Sequence, residues 1–156
     1  MKREKVIKSI KDFFDNLDWK YDYNKDTGIF TSGINMGNVI GSIKLVIMLR
    51  EHHYKVAACL NSKVESEHIA EVAEYLHRAN FGMNNGNFEL DYRDGEIRYK
   101  TFTYFKGIEL SNRIIEDSIA LPILMFDKYG KNLMMLMLGE GVPKNLIEEA
   151  EKCKDE

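Results

Sequence analysis

Apolar positions follow two periods along this chain. Val6, Ile7, Ile10, Phe13, Phe14 and Leu17 recur at the three-and-four spacing that gathers side chains on one helix face, with Lys5, Lys8, Lys11 and Asp12 on the other. From Trp19 the period drops to two: Trp19, Tyr21 and Tyr23 alternate with Lys20, Asp22 and Asn24. The turn formers Asn24-Lys25-Asp26-Thr27-Gly28 follow, and Ile29–Ile34 reads as the return strand. Ile43, Leu45, Ile47 and Leu49 resume the alternation, and Tyr54, Val56, Ala58 and Leu60 mirror it. A two-residue turn at Glu51-His52 pairs Leu49 with Tyr54, Ile47 with Val56 and Leu45 with Ala58, which keeps one face apolar. The opposite face is mixed, with Val46, Met48, Ala57 and Cys59 beside Lys44, Arg50 and Lys55.

Ser66 is placed to cap a second helix carrying Ile69, Val72, Ala73, Leu76 and Ala79 inward, ended by Gly82. Arg93-Asp94-Gly95-Glu96 has the Asp-Gly centre favoured by a type I′ turn. Counting outward pairs Tyr92 with Ile97, Leu90 with Tyr99 and Phe88 with Thr101. The other face then aligns Arg93 with Glu96, Asp91 with Arg98 and Glu89 with Lys100. Ser111 caps a third helix running toward Leu138, which Pro122 either kinks or divides. Ile119–Phe126 and Leu133–Leu138 are apolar all round, so this helix needs cover on more than one side. Gly139 and Gly141 break it, and Pro143 opens a short last helix docked by Leu146, Ile147 and Ala150, with the charged end Glu148–Glu156 in solvent.

Strands and helices segregate, and hairpins join the strands. The expected fold is α+β, a mainly antiparallel sheet of five to six strands with helices packed on it. The 156 residues show no repeat or linker and read as one domain over 1–156. With 22 basic and 25 acidic residues the formal charge is −3, which counts against a dedicated nucleic-acid binder. Cys59 and Cys153 lie far apart and in no pair motif; no apolar run of signal length follows the charged start, and no stretch approaches the ~20 residues of a membrane span. These features point to a cytoplasmic protein with reduced thiols.

Chemistry is sparse. His52 and His53 sit at a hairpin tip with no further ligands nearby, and His68 and His77, nine apart on one helix, face opposite sides. Glu74-Tyr75-Leu76-His77 is a single Glu-x-x-His where a di-iron centre needs two copies and two more glutamates. Ser32, Ser42 and Ser111 lack a nucleophile elbow, and Cys59 lies in a strand pattern, although a pairing with His53 stays open. The glycine-rich segment Gly33–Gly41 has neither phosphate-loop spacing nor a helix after it; it reads as a bent strand end, with a small-molecule sensor or enzyme site there as the alternative. No catalytic residue, metal or cofactor is assigned. Arg98, Lys100, Phe102, Tyr104, Phe105 and Lys106 interleave base and aromatic in a way that suits single strands, but acidic partners offset it. What remains is partner surface: Val46 and Met48 on the mixed sheet face, and Met134, Met135 and Met137 on the third helix, which either pack on the protein's own sheet or form a homodimer seam or a groove for a protein segment.

Val72-Ala73-Glu74-Tyr75-Leu76-His77-Arg78-Ala79-Asn80, then Gly86-Asn87-Phe88-Glu89-Leu90-Asp91 and Asp94-Gly95-Glu96-Ile97-Arg98-Tyr99-Lys100, resembles the YbjN-type family of bacterial proteins, candidate regulators of sensory transduction. The likeness spans about Phe13 to Ala150. It implies a fold similar to type III secretion chaperones, commonly dimeric, and carries no enzymatic activity, cofactor or catalytic residues. The expected function is therefore a non-enzymatic interaction or regulatory module, chaperone-like or in sensory transduction, acting as a homodimer on a protein partner, without nucleic acid or membrane.

Overall fold

The computed structural model describes residues 2–152. Its elements are α1 (Lys2–Asn16), β1 (Asp22–Asn24), β2 (Ile29–Asn35), β3 (Ser42–Leu49), β4 (His53–Leu60), α2 (Ile69–Asn80), β5 (Asn87–Leu90), β6 (Ile97–Tyr104), α3 (Asn112–Met137) and α4 (Pro143–Glu151). The six strands form one antiparallel sheet in the order β1-β2-β3-β4-β6-β5. The β3–β4 register is the expected one, Leu49 opposite Tyr54 and Leu45 opposite Ala58. Alternation sends Ile43, Leu45, Ile47, Leu49, Tyr54, Val56 and Ala58 into the core. The helices cover that side: α3 crosses β4 and β6, α1 lies beside α3, α2 reaches β5, and α4 touches α2 and α3.

Two local expectations are corrected. Ser66 does not cap α2; a 3₁₀ turn over Ser66–His68 precedes it, and the helix starts at Ile69 with no side-chain cap. The β5–β6 register is shifted by two residues from the type I′ alignment, with Leu90 opposite Ile97, Glu89 opposite Arg98 and Phe88 opposite Tyr99. A type I′ turn needs positive φ at both central residues, and here only Gly95 has it. Asp91 is the cause: its carboxylate accepts from the Arg93 N–H at 2.9 Å and pairs with the Arg93 guanidinium, so it never reaches Arg98. The six-residue loop is pinned from outside, where the Val64 N–H donates to the Gly95 carbonyl at 3.0 Å; a side chain at Gly95 would run into Val64. A two-residue slip preserves which face each side chain takes, so the core is unaffected.

The cover that α3 needs comes from its own chain. The helix is continuous through Pro122, and its extra apolar sides meet the other helices as well as the sheet. Met137 is buried, and Met134 and Met135 are partly buried against the core, which leaves Leu138 as the exposed member of that run.

Candidate interaction surface

Among the described residues no helix packs on the second face of the sheet. In register across it run Ile29, Met48, Lys55 and Phe102, and beside them Thr31, Val46, Ala57 and Lys100. Val46 and Met48 are half-buried, while Phe102 and Tyr104 are 51% and 54% exposed. Phe102 leans on the His53 ring, with centroids 5.2 Å apart. These side chains face outward because the period of two that buries Ile47, Val56 and Thr101 leaves their neighbours no other direction.

The face is basic in an acidic protein. On β3, β4 and β6 it displays Lys44, Lys55, Arg98 and Lys100 and no carboxylate. Glu89 on β5 pairs with both Arg98, at 2.5 Å, and Lys100. Partial burial pulls the Glu89 carboxyl upward, but the hydrogen bonds from Lys100 and Arg98 outweigh it and hold the group below its usual value. Lys44 and Lys55 have no carboxylate partner among the described residues.

The residues weighed for chemistry are not brought together. His53 and Cys59 stand six residues apart on β4, about 20 Å at ~3.3 Å per residue. Burial and the Glu96 carboxylate push the Cys59 thiol up against the pull of Arg98 and Lys44, away from the reactive thiolate. Cys153 lies outside the described residues. Ser32 donates to the Lys20 carbonyl, Ser42 accepts from Asn61, and Ser111 accepts from the Ile114 N–H as the α3 cap. Glu74 is held by Arg78 rather than turned toward His77. Among the described residues no three His, Cys, Asp or Glu side chains converge on a metal position. No helix there is long and apolar enough to cross a membrane.

Gly33–Gly41 is occupied with its own folding. Gly33 sits within β2, opposite Lys44. The N–H groups of Gly37 and Ile40 donate to the side chains of Asn35 and Asn38, and that of Met36 to the Gly41 carbonyl. Ile40 is buried and packs its terminal methyl against Gly130 of α3. The loop is a plug with the amides of Met36, Gly37, Ile40 and Gly41 taken internally, unlike a phosphate cradle, which presents them free.

No family model matches the chain, and no curated protein matches it in sequence. In three dimensions it is similar to the crystal structure of YbjN, "a putative transcription regulator from E. coli", with a TM-score of 0.54 and 12% identity over 78% of this chain and 90% of that one. At that identity the similarity shows the fold, which is YbjN-like, as the motifs around Asn80 and Phe88 imply.

Proposed function

We propose that the chain is a non-enzymatic interaction module with a regulatory role, which holds a protein segment against the open face of its sheet. One observation carries the proposal: the uncovered surface of β3, β4 and β6, where Val46, Met48, Phe102 and Tyr104 stand beside the unpaired Lys44 and Lys55. Removing such apolar area from water favours association, and the lysines select a partner that brings carboxylates. The regulatory element is suggested by the similarity in fold to YbjN. A nucleic acid is less well served, because Glu89 engages both Arg98 and Lys100 and cancels one of their two charges, leaving few free cations for phosphate. A second copy on this face would set lysines against lysines, and the helix methionines that suggest a dimer seam pack within the chain.

Affinity capture with the wild-type chain and with Val46→Glu and Met48→Glu tests the proposal. Both positions are partly solvated, so the variants should melt within a few degrees of wild type yet retain at least tenfold less partner. Equal retention by all three proteins overturns it. A wild-type mass of two chains by light scattering, halved by Met48→Glu, makes a second copy the occupant instead.

A further inference from the structure

The sheet edge on the β5 side is finished in two ways. Along β5 the outward main-chain groups are those of Phe88 and Leu90, and the Asn80 side chain takes both of Phe88: its Oδ1 accepts from the Phe88 N–H at 2.7 Å, and its Nδ2 donates to the Phe88 carbonyl at 3.0 Å. Then β6 outruns β5. The pairing stops at Asn87 opposite Lys100, while β6 continues to Tyr104. The bond from the Asp91 N–H to the Glu96 carbonyl sets the phase of the ladder, in which even-numbered residues of β6 turn N–H and C=O toward β5. Phe102 and Tyr104 therefore aim theirs at the vacated edge, and no described residue outside the sheet ladders hydrogen-bonds to them.

Apolar walls flank this stretch. Between it and α3 lies an open groove of about 370 Å³ lined by Thr103, Ile114, Leu121 and Leu124. Ile114 and Leu124 are 49% and 57% exposed, so with Phe102 and Tyr104 four of the eleven large apolar side chains left exposed among the described residues gather at one short edge. The other edge, where β2 outruns β1, is bordered instead by Asp18, Lys20, Asp22 and Lys44. Unpaired strand edges are templates for another strand, and proteins normally cover or charge them.

The geometry points to strand addition: an extended, apolar segment of a partner protein, carrying Asp or Glu at its ends, docks as a seventh strand on Phe102–Tyr104. This rests on the reading that the chain binds a protein segment, and it adds the segment's form and place. Charge chooses the occupant. Lys55 lies opposite Phe102 and Lys106 follows the strand, neither with a carboxylate partner among the described residues, while Asp117 in the groove is held by Arg113. A second copy of this strand would bring Arg98, Lys100 and Lys106 and no carboxylate to an edge that already carries Lys55 and Lys106.

Amide exchange on the full chain, read by NMR, tests this with a synthetic peptide of alternating valine and threonine capped by glutamates. Saturating peptide should slow exchange at Phe102 and Tyr104 at least tenfold and leave Thr103, already bonded toward β4, unchanged. Phe102→Pro deletes an edge N–H without touching the β4 ladder and should weaken binding at least tenfold; Phe102→Ala keeps that N–H and should lose less. If Phe102→Pro melts early, the Tyr104→Pro and Tyr104→Ala pair gives the same comparison. No slowing at saturating peptide, or proline variants that bind as wild type does, overturns the proposal. Amides already protected in a two-chain species overturn it in favour of a second copy. Peptide held through Val46 and Met48 with unprotected edge amides sinks strand addition and leaves the open-face function standing.

Discussion

Pro122 sits in the middle of a 26-residue helix, where a proline normally kinks or breaks the chain. Its missing N–H deprives the Ser118 carbonyl of a helical partner, and the Thr101 hydroxyl from β6 supplies one at 3.0 Å. The Ser118 hydroxyl donates in turn to the Ile115 carbonyl at 2.7 Å, and so accepts from the Tyr54 hydroxyl at 2.7 Å. A core threonine thus repairs what the proline removes. Thr101→Val should destabilise the domain by about 1–3 kcal/mol, the cost of leaving a buried carbonyl unpaired. Pro122→Ala restores an N–H at the right place, so adding it to Thr101→Val should recover much of that loss. Urea titrations of the four proteins in the cycle measure the coupling; strictly additive effects would show that Thr101 does not serve the proline.

Asn80 ends α2 with an amide that behaves like a short piece of strand, bonding both main-chain groups of Phe88. Asn80→Ala leaves the Phe88 N–H without its partner, while the Phe88 carbonyl keeps the Asn87 side-chain amide at 3.1 Å; it should cost about 1–3 kcal/mol, with the exchange of the Phe88 amide accelerated more than that of its ladder neighbours. Asn80→Asp keeps the bond to the N–H and loses the one to the carbonyl, so it should fall between the two. The segments Arg78-Ala79-Asn80 and Gly86-Asn87-Phe88 are prominent in the sequence, but nothing in their periodicity says that the first closes the edge of the second. Local pattern made each element and the β3–β4 register legible, because there the turn is short and one face is apolar. It failed at Asp94-Gly95, since an Asp-Gly pair serves both a type I′ turn and a longer loop ending in a positive-φ glycine. The choice was made by Asp91 folding onto Arg93 and by the distant Val64. Cover for α3 was hidden for the same reason: Met134, Met135 and Met137 are sheltered by contacts remote in sequence. The open face was half legible, with Val46 and Met48 recognisable from the mixed alternation. The free edge at Phe102 and Tyr104 depends on β5 being shorter than β6, which hydrophobic period does not encode.

Across the whole molecule, α2, α3 and β6 meet around buried phenols rather than aliphatic side chains alone. Tyr75 donates to the Tyr129 carbonyl at 2.8 Å, Tyr99 donates to the Asn85 carbonyl at 2.6 Å, and the Tyr129 hydroxyl reaches Glu151 at 3.1 Å. Burial pushes Tyr99 up to about 12; burial, then Glu151, takes Tyr129 to about 12; Tyr75 is raised further, again chiefly by burial. In the unfolded chain each phenol titrates near pH 10. Below pH 10 both states hold the proton and these groups make stability independent of pH. Between about pH 10 and 12 the unfolded chain releases protons that the folded chain keeps, so stability falls, by up to about 1.4 kcal/mol per pH unit for each phenol. The urea midpoint should stay level up to about pH 9.5 and then drop steeply, with tyrosinate absorbance rising on unfolding rather than before it. Lysine neutralisation also begins in that range and loosens lysine–carboxylate pairs in general. Tyr99→Phe separates the two causes: it lowers stability somewhat at every pH by losing the bond to Asn85, but it removes one phenol from the alkaline slope. A slope unchanged in Tyr99→Phe assigns the alkaline loss to the lysines; a shallower one assigns it to the phenols that join the helices to the sheet.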